Sequence, residues 1–115
     1  MTETNAPDWK DIIRERMAKL AANILSGETS VVAGARQMVH LIHQSGLPQF
    51  DPDLTIFIAV ESESDNLPLG TARQYWAADA LERADRDIEA VEALYRDQIL
   101  TGCKAIVQRF SEKAV

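Results

Sequence analysis

The sequence predicts an all-α protein, a bundle of three to four helices closed by one long C-terminal helix. Three observations predict it. Apolar residues recur every three or four positions along most of the chain. Capping and stop residues fall where such helices would begin and end. One apolar run alone resembles a strand, and it has no second strand to pair with.

The first helix is expected over Pro7 to Ser26. Trp9, Ile13, Met17, Leu20 and Ile24 form its stripe, widened by Ile12 and Leu25, while Lys10, Arg14 and Glu15 lie off it. Pro7 opens it and Gly27 closes it. The second is expected over Ser30 to Gln44, with Val31, Ala35, Met38 and Ile42 in one row and Val32 and Val39 beside it. Gly34 inside this helix costs about 1 kcal/mol relative to alanine, and a glycine there often marks a close helix approach. Gly46 and Pro48 stop it.

Asp51-Pro52-Asp53 reads as a helix start: a capping carboxylate, a proline at the first helical position and an acid in the first turn. The following Leu54–Val60 is β-branched and apolar, and reads either as a buried strand or as a helix. A lone strand would leave its backbone groups unpaired, which favours a helix to about Ser64. Asn66–Gly70 is a loop, and Thr71 is placed to cap a short turn through Trp76. The longest helix is expected from about Asp79 to Phe110. Its stripe is Leu81, Ala84, Ile88, Val91, Tyr95, Ile99, Gly102, Ile106 and Phe110, broadened by Leu94, Cys103 and Val107. Thirty-two residues make about 48 Å of helix, so it would span or overhang the bundle. An apolar overhang would favour a homodimer.

The 115 residues suit one domain, 1–115, with 1–6 flexible. No apolar run approaches the roughly 20 residues that cross a membrane. The start, Met1 to Asn5, lacks the pattern of a signal peptide. The single Cys103 forms no internal disulfide, and the expected location is cytoplasmic.

Charge is unevenly spread. Of the net −6, five units lie between Gln37 and Ala72, which hold five acids and neither lysine nor arginine. Such a chain is poorly suited to nucleic acid, whose phosphates are met by lysine and arginine. The sign favours a basic protein partner.

Three groups stand out as candidate sites. Glu61, Glu63 and Asp65 repel one another and sit near an expected helix C-terminus, where the dipole disfavours negative charge. This local inconsistency marks a partner-binding patch or a site for an ion or small molecule, set against a solvated loop that only keeps the protein soluble. Arg73 and Trp76 follow the acid-only segment; Arg73 is expected to fold back onto Glu61, Glu63 or Asp65, with Trp76 against it, or to anchor a binding surface. His40 and His43, three apart on a helix, read first as two partly exposed histidines; as a weak two-histidine platform for a metal with Glu61 or Glu63 they give the alternative of a metal-binding protein or metal-dependent hydrolase. No phosphate loop, dinucleotide fingerprint or serine-nucleophile motif is present. Cys103 falls on the apolar stripe and reads as a small core residue. No catalytic group and no cofactor are expected.

Taken in order, Ile24–Glu28, Gly34-Ala35-Arg36, Asp51-Pro52-Asp53, Glu61–Asp65 with Leu67-Pro68, Trp76 and Glu92–Arg96 resemble a family of small uncharacterised bacterial proteins of about this length. The resemblance covers roughly residues 10–110 and implies no known chemistry; it singles out Ser62–Pro68 as the run most like a signature. In size and charge the chain is also similar to immunity proteins that neutralise basic toxins, an analogy of character rather than of motif. The expected function is therefore a small acidic helical binding protein, of immunity or inhibitor type in one form, engaging a basic partner through residues 51–65.

Overall fold

The computed structural model describes residues 8–48 and 50–111. Its α-helices are α1 (Trp9–Ser26), α2 (Val31–Ser45), α3 (Thr55–Ser64) and α4 (Ala78–Phe110), with a 3-10 helix over Gly70–Tyr75. No strand occurs among the described residues. The all-α class and the long last helix are as the sequence predicts, and the run Leu54–Val60 is helical from Thr55 onward. The expected flexibility of residues 1–6 and the role of Pro7 lie outside the described residues.

Asp8 starts α1, its carboxylate accepting from the Lys10 amide at 3.1 Å. Gly27 closes it with φ 88°, a left-handed conformation that glycine adopts without steric cost. Ile13, Met17, Leu20 and Ile24 are buried as the stripe requires, but Trp9 is 56% exposed and belongs to the surface. Where α2 crosses α1, a side chain on Gly34 would bring its Cβ to 2.5 Å from Ile24 Cδ1. The glycine therefore marks the close approach read from the sequence. Ser30 caps α2 through Ala33 N–H at 3.3 Å. A second cap comes from far along the chain: the Glu92 carboxylate of α4 accepts from Val32 N–H at 3.0 Å, placing negative charge at the α2 N-terminus.

The Asp51-Pro52-Asp53 start is displaced by one turn. The Asp51 carboxylate accepts from Asp53 N–H at 3.0 Å, and its carbonyl accepts from Leu54 and Thr55. The backbone at Leu54 (φ −106°, ψ −24°) departs from helical values, so regular α3 begins at Thr55. Thr71 is not a cap: the 3-10 helix begins at Gly70, and Leu69 flanks it without a side-chain hydrogen bond.

The core is made by α1, α2, α3 and the second half of α4. Phe57, Met17, Met38, Ile42, Leu54, Ile99 and Ile106 are among its fully buried side chains. Gly102 is a contact point within it: an added Cβ would lie 3.1 Å from the Asp53 carbonyl oxygen and 3.1 Å from Phe57. The missing side chain lets the start of α3 sit against α4.

The first half of α4 is different. Of the buried α4 residues, Ile99, Gly102, Cys103 and Ile106 lie in the second half, and Ala84 alone lies in the first. Leu94, expected to broaden the core stripe, is 69% exposed. The molecule is 63 Å long and 28 × 25 Å across, and α4 supplies about 50 Å of that length. The projecting half is not bare. The connection between α3 and α4 is tied to it by Arg73, which meets Asp85 with two hydrogen bonds of 2.8 and 3.0 Å.

Candidate functional site

The acidic segment divides into groups with different neighbours. At its start, Asp51 and Asp53 meet Arg109 from the last turns of α4, at 3.0 and 2.8 Å. Arg109 holds the Asp51 carboxyl below its ordinary value of 3.8, chiefly by the hydrogen bond it donates. The same guanidinium lies 4.9 Å from the Phe110 ring centroid, a cation–π distance.

The end of α3 is arranged otherwise. Arg36 of α2 donates to the carbonyl oxygens of Ser64 and Leu67, the latter at 2.7 Å. A cation from another helix thus meets carbonyls at and just beyond the α3 C-terminus, adding to the Leu67 N–H that Ser64 already accepts from, and opposes the helix dipole. The Nε of Arg36 is buried without a hydrogen-bond partner among the described residues. Glu63 accepts from the Tyr95 hydroxyl, which raises the Tyr95 pKa above its ordinary 10.0. Among the described residues no salt bridge reaches Glu61, Glu63 or Asp65.

The expected return of Arg73 onto Glu61, Glu63 or Asp65 does not occur. Asp85 presents both carboxylate oxygens to the guanidinium fork, a geometry that single approaches to a helix end do not match. This pair lowers the Asp85 pKa and raises that of Arg73, in both cases chiefly through the hydrogen bond. Trp76 touches Arg73 through backbone, its N–H donating to the Arg73 carbonyl at 3.1 Å. The cation–π contacts among the described residues are those of Arg14 and Arg109 on Phe110. Trp76 sits at the start of α4, and Tyr95 follows 19 residues on. Within that separation, Ala78 to Tyr95 alone is about 26 Å of helix. Trp76 and the Glu63 end of α3 therefore do not make one patch. Glu61 and Glu63 are two positions apart on α3, so they also point away from each other.

His40 and His43 are exposed. Among the described residues no three of histidine, cysteine, aspartate and glutamate come close enough to hold a metal. Ser62 is exposed and Ser64 is buried, its hydroxyl donating to the Val60 carbonyl at 2.7 Å. Cys103 is buried in the core, and burial pushes its thiol up to about 12, which leaves it uncharged and unreactive at neutral pH.

A groove of about 630 Å³ lies between α3 and α4. Pro52, Ile56, Ala59 and Gly102 give it apolar surface; Asp53, Asp97 and Tyr95 give it polar surface, and no basic residue lines it. Asp53 is already held by Arg109, whereas no salt bridge reaches Asp97 among the described residues. Asp97 was not singled out from the sequence, because nothing local distinguishes it from the other acids of α4. Gly102 on the apolar stripe was the one available signal that something packs closely there.

The fold and surface define a small helical domain with an acid-bordered groove. No protein-family model matches the chain, and neither the curated proteins nor the solved structures contain a significant match to it. Among the described residues no helix is long and apolar enough to cross a membrane.

Proposed function

We propose that the protein is a small acidic binding protein that engages a basic protein partner, an immunity or inhibitor role being one form of that activity. The observation that carries this reading is the incomplete internal neutralisation of residues 37–72. One arginine, Arg109, pairs with acids of that segment, at Asp51 and Asp53. The bases bracketing the segment are committed elsewhere, Arg36 to backbone carbonyls and Arg73 to Asp85. Glu61, Glu63 and Asp65 have no salt-bridge partner among the described residues, which leaves them open to an incoming cation.

A cationic probe tests the reading. A decapeptide alternating leucine with arginine should bind the folded protein, with affinity falling as salt rises. Substituting Glu61→Ala/Glu63→Ala/Asp65→Ala together should weaken binding and flatten its salt dependence. Unchanged binding and slope in the triple variant would refute the proposal.

A further inference from the structure

We propose that the α3–α4 groove is the seat of a short basic segment of that partner. One apolar side chain of the segment rests on Ile56, Ala59 and Gly102, and a flanking lysine or arginine reaches Asp97. The inference depends on the preceding reading that the partner is basic, and adds where and by what pattern it is held.

The argument joins shape to charge. A groove of about 630 Å³ falls in the range of recessed ligand sites, roughly 300–1,000 Å³. Its apolar part would gain nothing from a bare metal ion or a fully hydrated polyamine, but suits the apolar anchor of a peptide. Its charged residues are both acids, Asp53 and Asp97, supplied from opposite sides. Asp53 already has its cation in Arg109. Asp97 is exposed and has no salt-bridge partner among the described residues, so it is the carboxylate open to an incoming base. An acidic segment would be repelled here, as would the acid-rich surface of a second copy, whose net charge is also −6. Glu63 and Tyr95, joined by a hydrogen bond, add a further acid beside the groove, since Tyr95 lines it.

The test titrates the same leucine–arginine decapeptide by calorimetry, with a leucine–glutamate decapeptide and spermine as comparison probes. Asp97→Lys should weaken the leucine–arginine peptide by about tenfold or more, equivalent to losing a single good ion pair and adding repulsion. Asp97→Asn, which alters no hydrogen bond of the fold, should weaken it less in the same direction. Ala59→Arg should block the groove and also reduce binding. Glu61→Ala/Asp65→Ala, outside the groove lining, should weaken the peptide less than Asp97→Lys does, and mainly through the salt-dependent part of the affinity. The glutamate peptide should not bind, and spermine should compete poorly. If the Glu61/Asp65 variant loses binding while Asp97→Lys and Ala59→Arg retain it, the groove is wrong and the basic-partner reading stands. If wild type does not bind the arginine peptide, both fail. Spermine binding as tightly as the peptide would overturn the apolar-anchor argument.

Discussion

At the start of α3, Asp51 and Asp53 share Arg109 in a close ionic cluster. At its end, Glu61, Glu63 and Asp65 have no such cation among the described residues, and the nearby arginine, Arg36, is turned to the carbonyls of Ser64 and Leu67. The two ends have similar acid content and different electrostatic fates. A guanidinium can stabilise a helix terminus through the backbone while leaving the carboxylates around it open to solvent. Where an arginine points therefore decides whether an acidic stretch is part of the fold or available to a partner.

The largest effect should come from breaking the backbone arrangement at the α3 end. Arg36→Ala removes two charge-assisted hydrogen bonds to carbonyls and opens space beside α3. It should cost about 2–3 kcal/mol in chemical denaturation. Arg36→Lys keeps the charge on a single donor nitrogen but lacks the planar guanidinium, and should recover part of that. If both variants are as stable as wild type, the end of α3 is not held from α2, and the contrast between the two ends disappears.

The helices themselves were legible because each carries its own period and punctuation. Ser30, Gly27 and Gly46 act within a few residues of where they stand. The contacts that distinguish the two ends of α3 were not legible in the same way. Arg109 meets Asp51 across 58 residues, and Arg36 bonds carbonyls, which every residue possesses and no sequence pattern reveals. Arg73 had acids on both sides within reach of a turn, and local spacing could not rank Asp85 above Glu61. The groove depends on how α3 crosses α4. Gly102 hinted that such a crossing exists, but not that Asp97 would border it. The acid-only segment was readable as a feature, and its division into satisfied and unsatisfied halves required the fold.

The ion cluster at the α3 start should give a smaller, pH-dependent effect. Asp51→Asn keeps the acceptor for Asp53 N–H but removes the charge facing Arg109. It should cost about 1 kcal/mol near neutral pH. The Asp51 pKa lies below 3.8 in the folded protein, chiefly through the Arg109 hydrogen bond. Its stabilising contribution is thus present above the ordinary value and lost as pH falls through the lowered one. Wild type and Asp51→Asn should therefore converge in stability on acidification. A gap that stays constant down to pH of about 2 would show that the pair contributes nothing specific through its charge.

The smallest effect probes Glu63, the member of the far cluster with an internal partner. The Tyr95 hydroxyl donates to it, and this hydrogen bond is the leading cause of the raised Tyr95 pKa. A proton held more tightly in the folded state stabilises the fold below the ordinary value of 10.0, and that contribution disappears as pH rises through the raised value. Ultraviolet titration of tyrosinate, with Tyr95→Phe identifying the relevant transition, reads this directly. Glu63→Ala removes both the acceptor and the charge, so the Tyr95 midpoint should move down towards 10.0. If it does not move, Glu63 is as free as Asp65, and the whole far end of α3 is open to a partner. If it moves, Tyr95 holds one oxygen of the Glu63 carboxylate in the free protein, and the second oxygen is the one a basic partner meets.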